Sequence, residues 1–410
     1  MEDSSWSRRD ILKSIGAGVL GIGVGAAVYH RMNEYIIGTE SEGGAAAAAS
    51  VSESGYAEID LNEHTSTKLV CGVFSGARSE SLAARDDVAF VQRDRKLTHV
   101  SDSHTGSQSA TSAGTLPWGI DRIDADVAHR RGATGDGVDV GVIDTGISAT
   151  HPDLSGSLAD PEVDENHEAW AECSGGDCTY PWSDDGGHGT HVAGTVAAAG
   201  GEEGVIGVAP DATLHALKVC SGSGGCRTSA IVAAIRYAAD RDWGVVNLSL
   251  GSPLPSPALK TAGEYAVEAG LVPVAAAGNR GAADSVGYPA AYEEYLAVSA
   301  TDIDDELAGF SSRGPEVDLA APGDSICSTH PDGHTVLSGT SMASPHVTGA
   351  VAQLLSQGHT PPETRQQLLD TAEDIGHPDT QQGEGLVDVA AALGYDSGDD
   401  GIGDGVSCLA

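Results

Sequence analysis

The chain has 410 residues, 60 of them acidic and 21 basic, for a formal net charge of −39 at pH 7. That field repels phosphate backbones and anionic membrane surfaces, so nucleic-acid partners are excluded. The length suits one domain of roughly 250 to 300 residues with about 100 left for leader and pro-segments. Because the Debye length falls to about 3 Å in 1 M salt, acidity spread along the whole chain reads as adaptation to high salt, the alternative being an ordinary acidic secreted protein kept soluble by its charge.

The chain opens with Ser7-Arg8-Arg9-Asp10-Ile11-Leu12-Lys13, followed by a Gly- and Ala-rich apolar run from Ile15 to Val28. Two arginines before a short apolar run form the pattern of a twin-arginine export signal, with Ile11 where the pattern prefers Phe. A membrane-crossing helix needs about 20 apolar residues. Residues 1–32 are therefore expected to be an export signal of a secreted protein, with a transient membrane tether as the alternative.

Glu40 to Ser54, with consecutive alanines after Gly43-Gly44, reads as a flexible linker. From Tyr56 an apolar pattern returns, as in Lys68-Leu69-Val70-Cys71-Gly72-Val73-Phe74 and Val88-Ala89-Phe90-Val91. Residues 33–109 are thus expected to hold the linker and a small α+β propeptide. The Ser/Thr/Gly-rich stretch Ser101 to Gly114 supplies the exposed backbone that a processing site needs.

From Leu116 to Asp396 strands and helices alternate. Val138 to Ile143, Thr213 to Val219, Val245 to Leu250, Leu271 to Ala276 and Tyr295 to Ala300 read as buried strands. His191 to Ala199, Ser229 to Arg241 and Pro257 to Glu268 read as helices. The alternation implies an α/β domain over residues 110–396, a doubly wound and mostly parallel sheet with helices on both faces. The Asp- and Gly-rich tail 397–410 is expected to be disordered.

Seven cysteines are too few for a disulfide scaffold and too scattered for a zinc ribbon. Cys173/Cys178 and Cys220/Cys226 bracket short loops that an oxidising compartment staples, the alternative being free buried thiols. Cys71, Cys327 and Cys408 have no evident mates.

In an open α/β sheet functional groups gather beyond the carboxyl ends of strands. Asp144 directly follows the first strand of this domain, Ser249-Leu250-Gly251 ends another, and Asn279 sits just past Ala276. His188 and Ser341 lie at helix starts. A serine hydroxyl needs a base to take its proton, and the base needs a carboxylate to fix its tautomer. Taken singly, each residue has a plain structural reading as turn, packed polar group or N-cap. Together they make a nucleophilic set, with Asn279 and the helix amides at Ser341 as oxyanion donors.

These blocks resemble the subtilisin family of serine peptidases. Asp144-Thr145-Gly146, His188-Gly189-Thr190-His191-Val192-Ala193-Gly194 and Gly339-Thr340-Ser341-Met342-Ala343-Ser344-Pro345-His346 match its three catalytic blocks, and Ala275-Ala276-Ala277-Gly278-Asn279 its oxyanion block. With the acidity and the leader, the likeness extends to the halolysin branch of halophilic archaea. The resemblance implies a serine endopeptidase that works through an acyl-enzyme, with Asp144, His188 and Ser341 catalytic and Asn279 in the oxyanion hole.

It further implies extended binding of protein and peptide substrates between Ser221, Gly222 and Gly224 on one edge and Ser249, Leu250 and Gly251 on the other. Ala276 and Gly278 would line the primary pocket, with Gly287 at its base. Arg280 would stand at the rim, where its cation favours acidic side chains unless a surface carboxylate pairs with it. Asp153 matches a carboxylate ligand of a structural calcium, although Gly201 replaces a usual Asn and Glu202 or Glu203 would have to substitute. His191 and His346 are expected to be packed polar residues, since no glutamate accompanies His188 and His191 in a zinc arrangement. No organic cofactor is expected. The propeptide would inhibit its own enzyme until processing, and the mature protein is expected to be a monomer.

Overall fold

The computed structural model describes residues 32–99, 116–163, 165–175, 178–200, 204–222 and 225–396. The expected signal before Met32, the processing stretch Ser101 to Gly114 and the tail 397–410 lie outside the described residues.

The first part is an antiparallel sheet of β1 (Met32–Thr39), β2 (Tyr56–Asp60), β3 (Lys68–Ser75) and β4 (Val88–Arg93) in the order β2-β3-β1-β4. Helices α1 (Glu42–Ser50) and α2 (Gly76–Ala83) cover one face. The stretch expected to be a linker is therefore largely helix. Alanine has the highest helix propensity, and Ser41 caps the helix by accepting from Gly44 N at 2.9 Å. Ala45 and Ala48, one turn apart, are buried.

Successive side chains in a strand face opposite ways, and this sheet uses both faces. Ile37, Val70 and Phe74 pack under the helices with Ala45, Ala48 and Leu82. Ile36, Ile59, Leu61 and Leu69 join the core of the larger unit. The described fold thus includes Met32, well before Tyr56. β5 (Lys96–His99) then leaves the sheet for the larger unit.

After helices α3 (Trp118–Arg122) and α4 (Ala125–Arg130) the chain enters β6 (Asp139–Asp144), β7 (Glu168–Ala169), α5 (His188–Ala197), β8 (Thr213–Lys218), β9 (Cys226–Arg227) and α6 (Thr228–Ala239). It continues through β10 (Val245–Leu248), β11 (Leu250–Gly251), α7 (Pro257–Glu268), β12 (Val272–Ala276), β13 (Leu296–Thr301) and β14 (Leu319–Pro322). The hairpin β15 (Ile326–His330) and β16 (Gly333–Leu337) leads into α8 (Thr340–Ser356) and α9 (Pro361–Asp370).

Seven strands form one sheet, β14-β13-β12-β10-β6-β8-β7, and every neighbouring pair is parallel. The doubly wound α/β expectation holds. Strands buried on both faces read as apolar runs: Val140 and Val142 pack with Val192, Val196, Val347 and Val351 of α5 and α8, while Ile143 packs with Ile231, Ile235 and Leu259 of α6 and α7. From β6 the chain builds outward first through β7 and β8, then on the other side through β10 to β14. The carboxyl end of β6 is therefore where strand order reverses, the place where such folds bind ligands.

Candidate active site

Asp144 is the last residue of β6 and is fully buried. Its Oδ1 accepts from His188 Nδ1 at 2.8 Å and from Thr145 N at 2.7 Å. His188 begins α5, and the approach is closest at Gly189, where a Cβ would lie 2.2 Å from Gly146 O. The turn before the histidine is held by Asp184, whose Oδ1 accepts from Gly186 N and Gly187 N at 2.8 and 2.9 Å. Its Oδ2 accepts from Thr190 N and Thr190 Oγ1 at 2.9 and 2.6 Å. Sequence reasoning missed Asp184, although a carboxylate just ahead of a helix is an ordinary capping signal.

Ser341 is the second residue of α8, which packs directly against α5. Pro345 has no N–H for the Ser341 carbonyl one turn back. Ser249 Oγ donates to that carbonyl instead, at 2.8 Å, while Ser341 Oγ donates to Ser249 O at 3.3 Å. Asn279 Oδ1 accepts from both Thr340 N and Thr340 Oγ1 at 2.9 Å. A backbone N–H only donates, so these bonds fix which end of the amide is oxygen and set the donating Nδ2 at the other end.

β5 lies between β9 and β11 as the middle of a three-stranded antiparallel sheet. Thr98 pairs with Gly251, His99 with Leu250, Leu97 with Cys226 and Lys96 with Arg227. The Leu97 side chain is buried. One expected substrate edge, Ser249 to Gly251, is thus beside an extended peptide. The other is shifted: the neighbour is Cys226-Arg227, not Ser221 and Gly222, and Gly224 lies outside the described residues. The disulfide Cys220–Cys226 closes the loop that carries Ser221 and Gly222, and Cys226 begins β9.

The expected pocket segments do come together. Gly287 N donates to Ala277 O at 2.8 Å, and Ser252 and Tyr288 exchange backbone bonds of 2.9 and 2.8 Å. These bonds join the stretches that carry Leu250 and Gly251, Ala276 and Gly278, and Gly287. The Arg280 guanidinium donates to Ser285 O at 2.5 Å, and among the described residues it is bonded to no carboxylate.

Cys173–Cys178 and Cys220–Cys226 are disulfides, as their spacing suggested, and Cys327 is disulfide-bonded as well. Cys71 is a free thiol whose pKa burial raises. His191 and His346 are packed polar residues. His191 Nε2 bonds Ile326 O at 3.1 Å and His346 Nδ1 bonds Met342 O at 2.8 Å. Burial holds their pKa values down at about 3 and about 4, with nearby His188 adding to the effect on His191.

At the expected calcium locus, Asp153 Oδ2 accepts from Val205 N at 2.9 Å and from His334 Nε2 at 2.7 Å. Gly204 crosses so close to the carboxylate that a Cβ would lie 2.4 Å from Oδ1. The backbone loop thus cradles a hard oxygen, the chemistry calcium takes. Residues 201–203 lie outside the described residues, among which no cluster of three His, Cys, Asp or Glu side chains could hold a metal.

A sequence profile described as the subtilase family matches residues 135–385. The chain is 42% identical over 311 residues to "Subtilisin E" of Bacillus subtilis (strain 168), covering 74% of this chain and 77% of that protein. It is 40% identical over 349 residues to "Alkaline protease" of Alkalihalobacillus alcalophilus, covering 84% of each. Over 286 residues it is 45% identical to "Subtilisin DY" of Bacillus licheniformis, covering 68% of this chain and 99% of that one.

Proposed function

The chain belongs to the subtilase family, and from that premise we propose how its residues act and how it is made. It is a subtilisin-type serine endopeptidase acting on proteins. Ser341 Oγ attacks the peptide carbonyl while His188 Nε2 takes its proton; the Asp144 carboxylate holds Nδ1–H and steadies the imidazolium that forms. The hydroxyl turns from Ser249 O to His188 for this step. Asn279 Nδ2 and the backbone N–H of Ser341 receive the negative oxygen. His188 then protonates the leaving amine, and water attacks the acyl-enzyme by the same route.

The observation that carries the reading is β5, a segment of the chain's own N-terminal part held between β9 and β11 as an extended peptide. It supports a precursor that inhibits itself through residues 32–99 and cuts itself soon after His99. Two further contacts support this docking. Asp94 accepts from Ser229 N at 3.0 Å and from Ser229 Oγ at 2.7 Å at the start of α6. Gln92 Oε1 accepts from Ala258 N at 3.0 Å at the start of α7.

The acidity supports work at high salt, and the leader supports export by the twin-arginine route of a monomeric enzyme. No helix among the described residues is long and apolar enough to cross a membrane. A structural calcium would be held by an Asp153 oxygen and the backbone of the loop at Gly204, joining that loop to residues 151–154. The test is expression of wild type and Ser341→Ala, with mass spectrometry of each. Wild type is expected to yield a mature chain starting within a few residues of Ser101, and the variant to keep its propeptide. Processing of the variant at the same place would refute self-cleavage.

A further inference from the structure

Beside the catalytic residues lies a buried ion pair that the mechanism does not use. Lys218 ends β8, paired in register with Asp144, and its side chain is fully buried. Its ammonium donates to Thr145 O and to Asp185 Oδ1, the latter at 2.5 Å. A cation and carboxylate taken out of water cost folding free energy unless every remaining bond is made. Here the ammonium meets two acceptors and the carboxylate takes further donors, all of them at the borders of the cleft.

Asp185 Oδ1 also accepts from Gly222 N at 2.9 Å. Its Oδ2 accepts from Ser174 N and Ser174 Oγ at 2.7 and 3.0 Å, in the loop closed by Cys173–Cys178. One carboxylate, carried by the turn before His188, thus binds the end of β8, the loop at Gly222 and the disulfide-closed loop. The approach is tight: a Cβ on Gly222 would lie 2.2 Å from Asp185 O. Burial alone raises the Asp185 pKa, but the Lys218 ammonium and the Ser174 donors hold it below the ordinary carboxylate value.

The consequence runs along the chain. Gly222 sits inside the loop that Cys220–Cys226 closes, and Cys226 begins β9, the strand paired with Leu97. At the loop's other end, Val219 N and Cys220 N both donate to Asp144 O, at 3.0 and 3.1 Å. The loop is thereby fixed at its base by Asp144, in its middle by Asp185 and at its close by the disulfide.

We propose that Asp185, with Lys218, is a positioning residue that sets the β9 edge for substrate residues upstream of the scissile bond and does not act on the bond itself. The proposal rests on the reading that β5 marks the substrate cleft. A peptide long enough to lie along β9 should feel the loss of Asp185. A substrate with one residue before the scissile bond does not reach that edge and should not.

The test compares wild type, Asp185→Asn and Asp185→Asn/Lys218→Met, the double variant leaving no lone buried ammonium should the single variant fold poorly. Each is assayed with a tetrapeptide amide and a one-residue ester sharing the same residue before the bond, and by the rate of fluorophosphonate labelling of Ser341. The expected result is a fall of about tenfold or more in kcat/KM for the tetrapeptide, mostly through KM. Ester turnover and labelling stay within about twofold. Equal losses on both substrates, or no loss on the tetrapeptide, would overturn the role of Asp185. Wild type that gains nothing from the longer peptide would instead overturn the cleft reading on which the proposal stands.

Discussion

Replacing Asp124 by Asn should stabilise the protein in a pH- and salt-dependent way. Asp124 lies between α3 and α4 in a left-handed conformation, φ 55°, which Asn adopts as readily, and its side chain makes no capping bond. Burial first, then the Asp388 and Asp126 charges, raises its pKa to about 7 from 3.8. The folded state therefore keeps a proton that the unfolded chain has released between about pH 4 and 7. Ionising this carboxyl costs stability, with no cost below pH 4 and the full cost above pH 7. Three units correspond to about 4 kcal/mol as an upper bound; solvent screening of a half-buried group brings the expected gain to about 1 to 2 kcal/mol. At about 2 °C or more per kcal/mol, the melting temperature should rise by a few degrees at pH 8. Thermal unfolding in a Ser341→Ala background, which removes self-digestion, measures it from pH 4 to 8. The gain should be absent at pH 4. In 3 M NaCl it should shrink without vanishing, because salt screens the neighbouring acids but not burial. A gain of equal size at pH 4 and pH 8 would refute the reasoning.

Asn279→Ala should lower kcat about 100- to 1,000-fold with little change in KM, since its donor serves the developing oxyanion; steady-state kinetics on one peptide decides it. Chelation by EDTA should lower the melting temperature of Ser341→Ala protein, and in an added Asp153→Asn background the shift should disappear. His346 has a folded pKa of about 4, below the ordinary value of about 6.5. Its share of stability is complete above pH 6.5 and is lost as pH falls towards 4, so His346→Gln should flatten the pH dependence of urea unfolding in that window.

Strands that are buried on both faces were legible because they read as unbroken apolar runs, and Asp144 was legible because it ends one. Helices with an amphipathic period, such as Thr228–Ala239, were legible to within a residue or two. The N-terminal sheet was legible only in part: β3 and β4 stood out as apolar runs, and β1 did not. Tyr35-Ile36-Ile37 is a short apolar run beside a longer one, and nothing local says that its two isoleucines belong to different cores. Leu319-Ala320-Ala321-Pro322 is a strand at the sheet's edge, where a terminal proline does no harm. Asp185 was illegible for another reason. Its partners Lys218 and Gly222 lie 33 and 37 residues further on, a separation that leaves no period in the sequence.

The two-faced use of that N-terminal sheet has a consequence for release. Its private core contains Ile37, Ala45, Ala48, Val70, Phe74 and Leu82, two of them alanines that bury little surface. Burial of a large aliphatic side chain contributes about 1.5 to 3 kcal/mol, and Ile36, Ile59, Leu61 and Leu69 gain theirs only against the larger unit. Domains of about 60 residues are marginal even with a complete core. If the proposed cut after His99 separates the segment, it would expose all four and lose the partners of Asp94 and Gln92 at α6 and α7. On the self-processing proposed above, an inhibitor built this way would hold while docked and, once released and opened in solution, would become substrate for the enzyme it had covered.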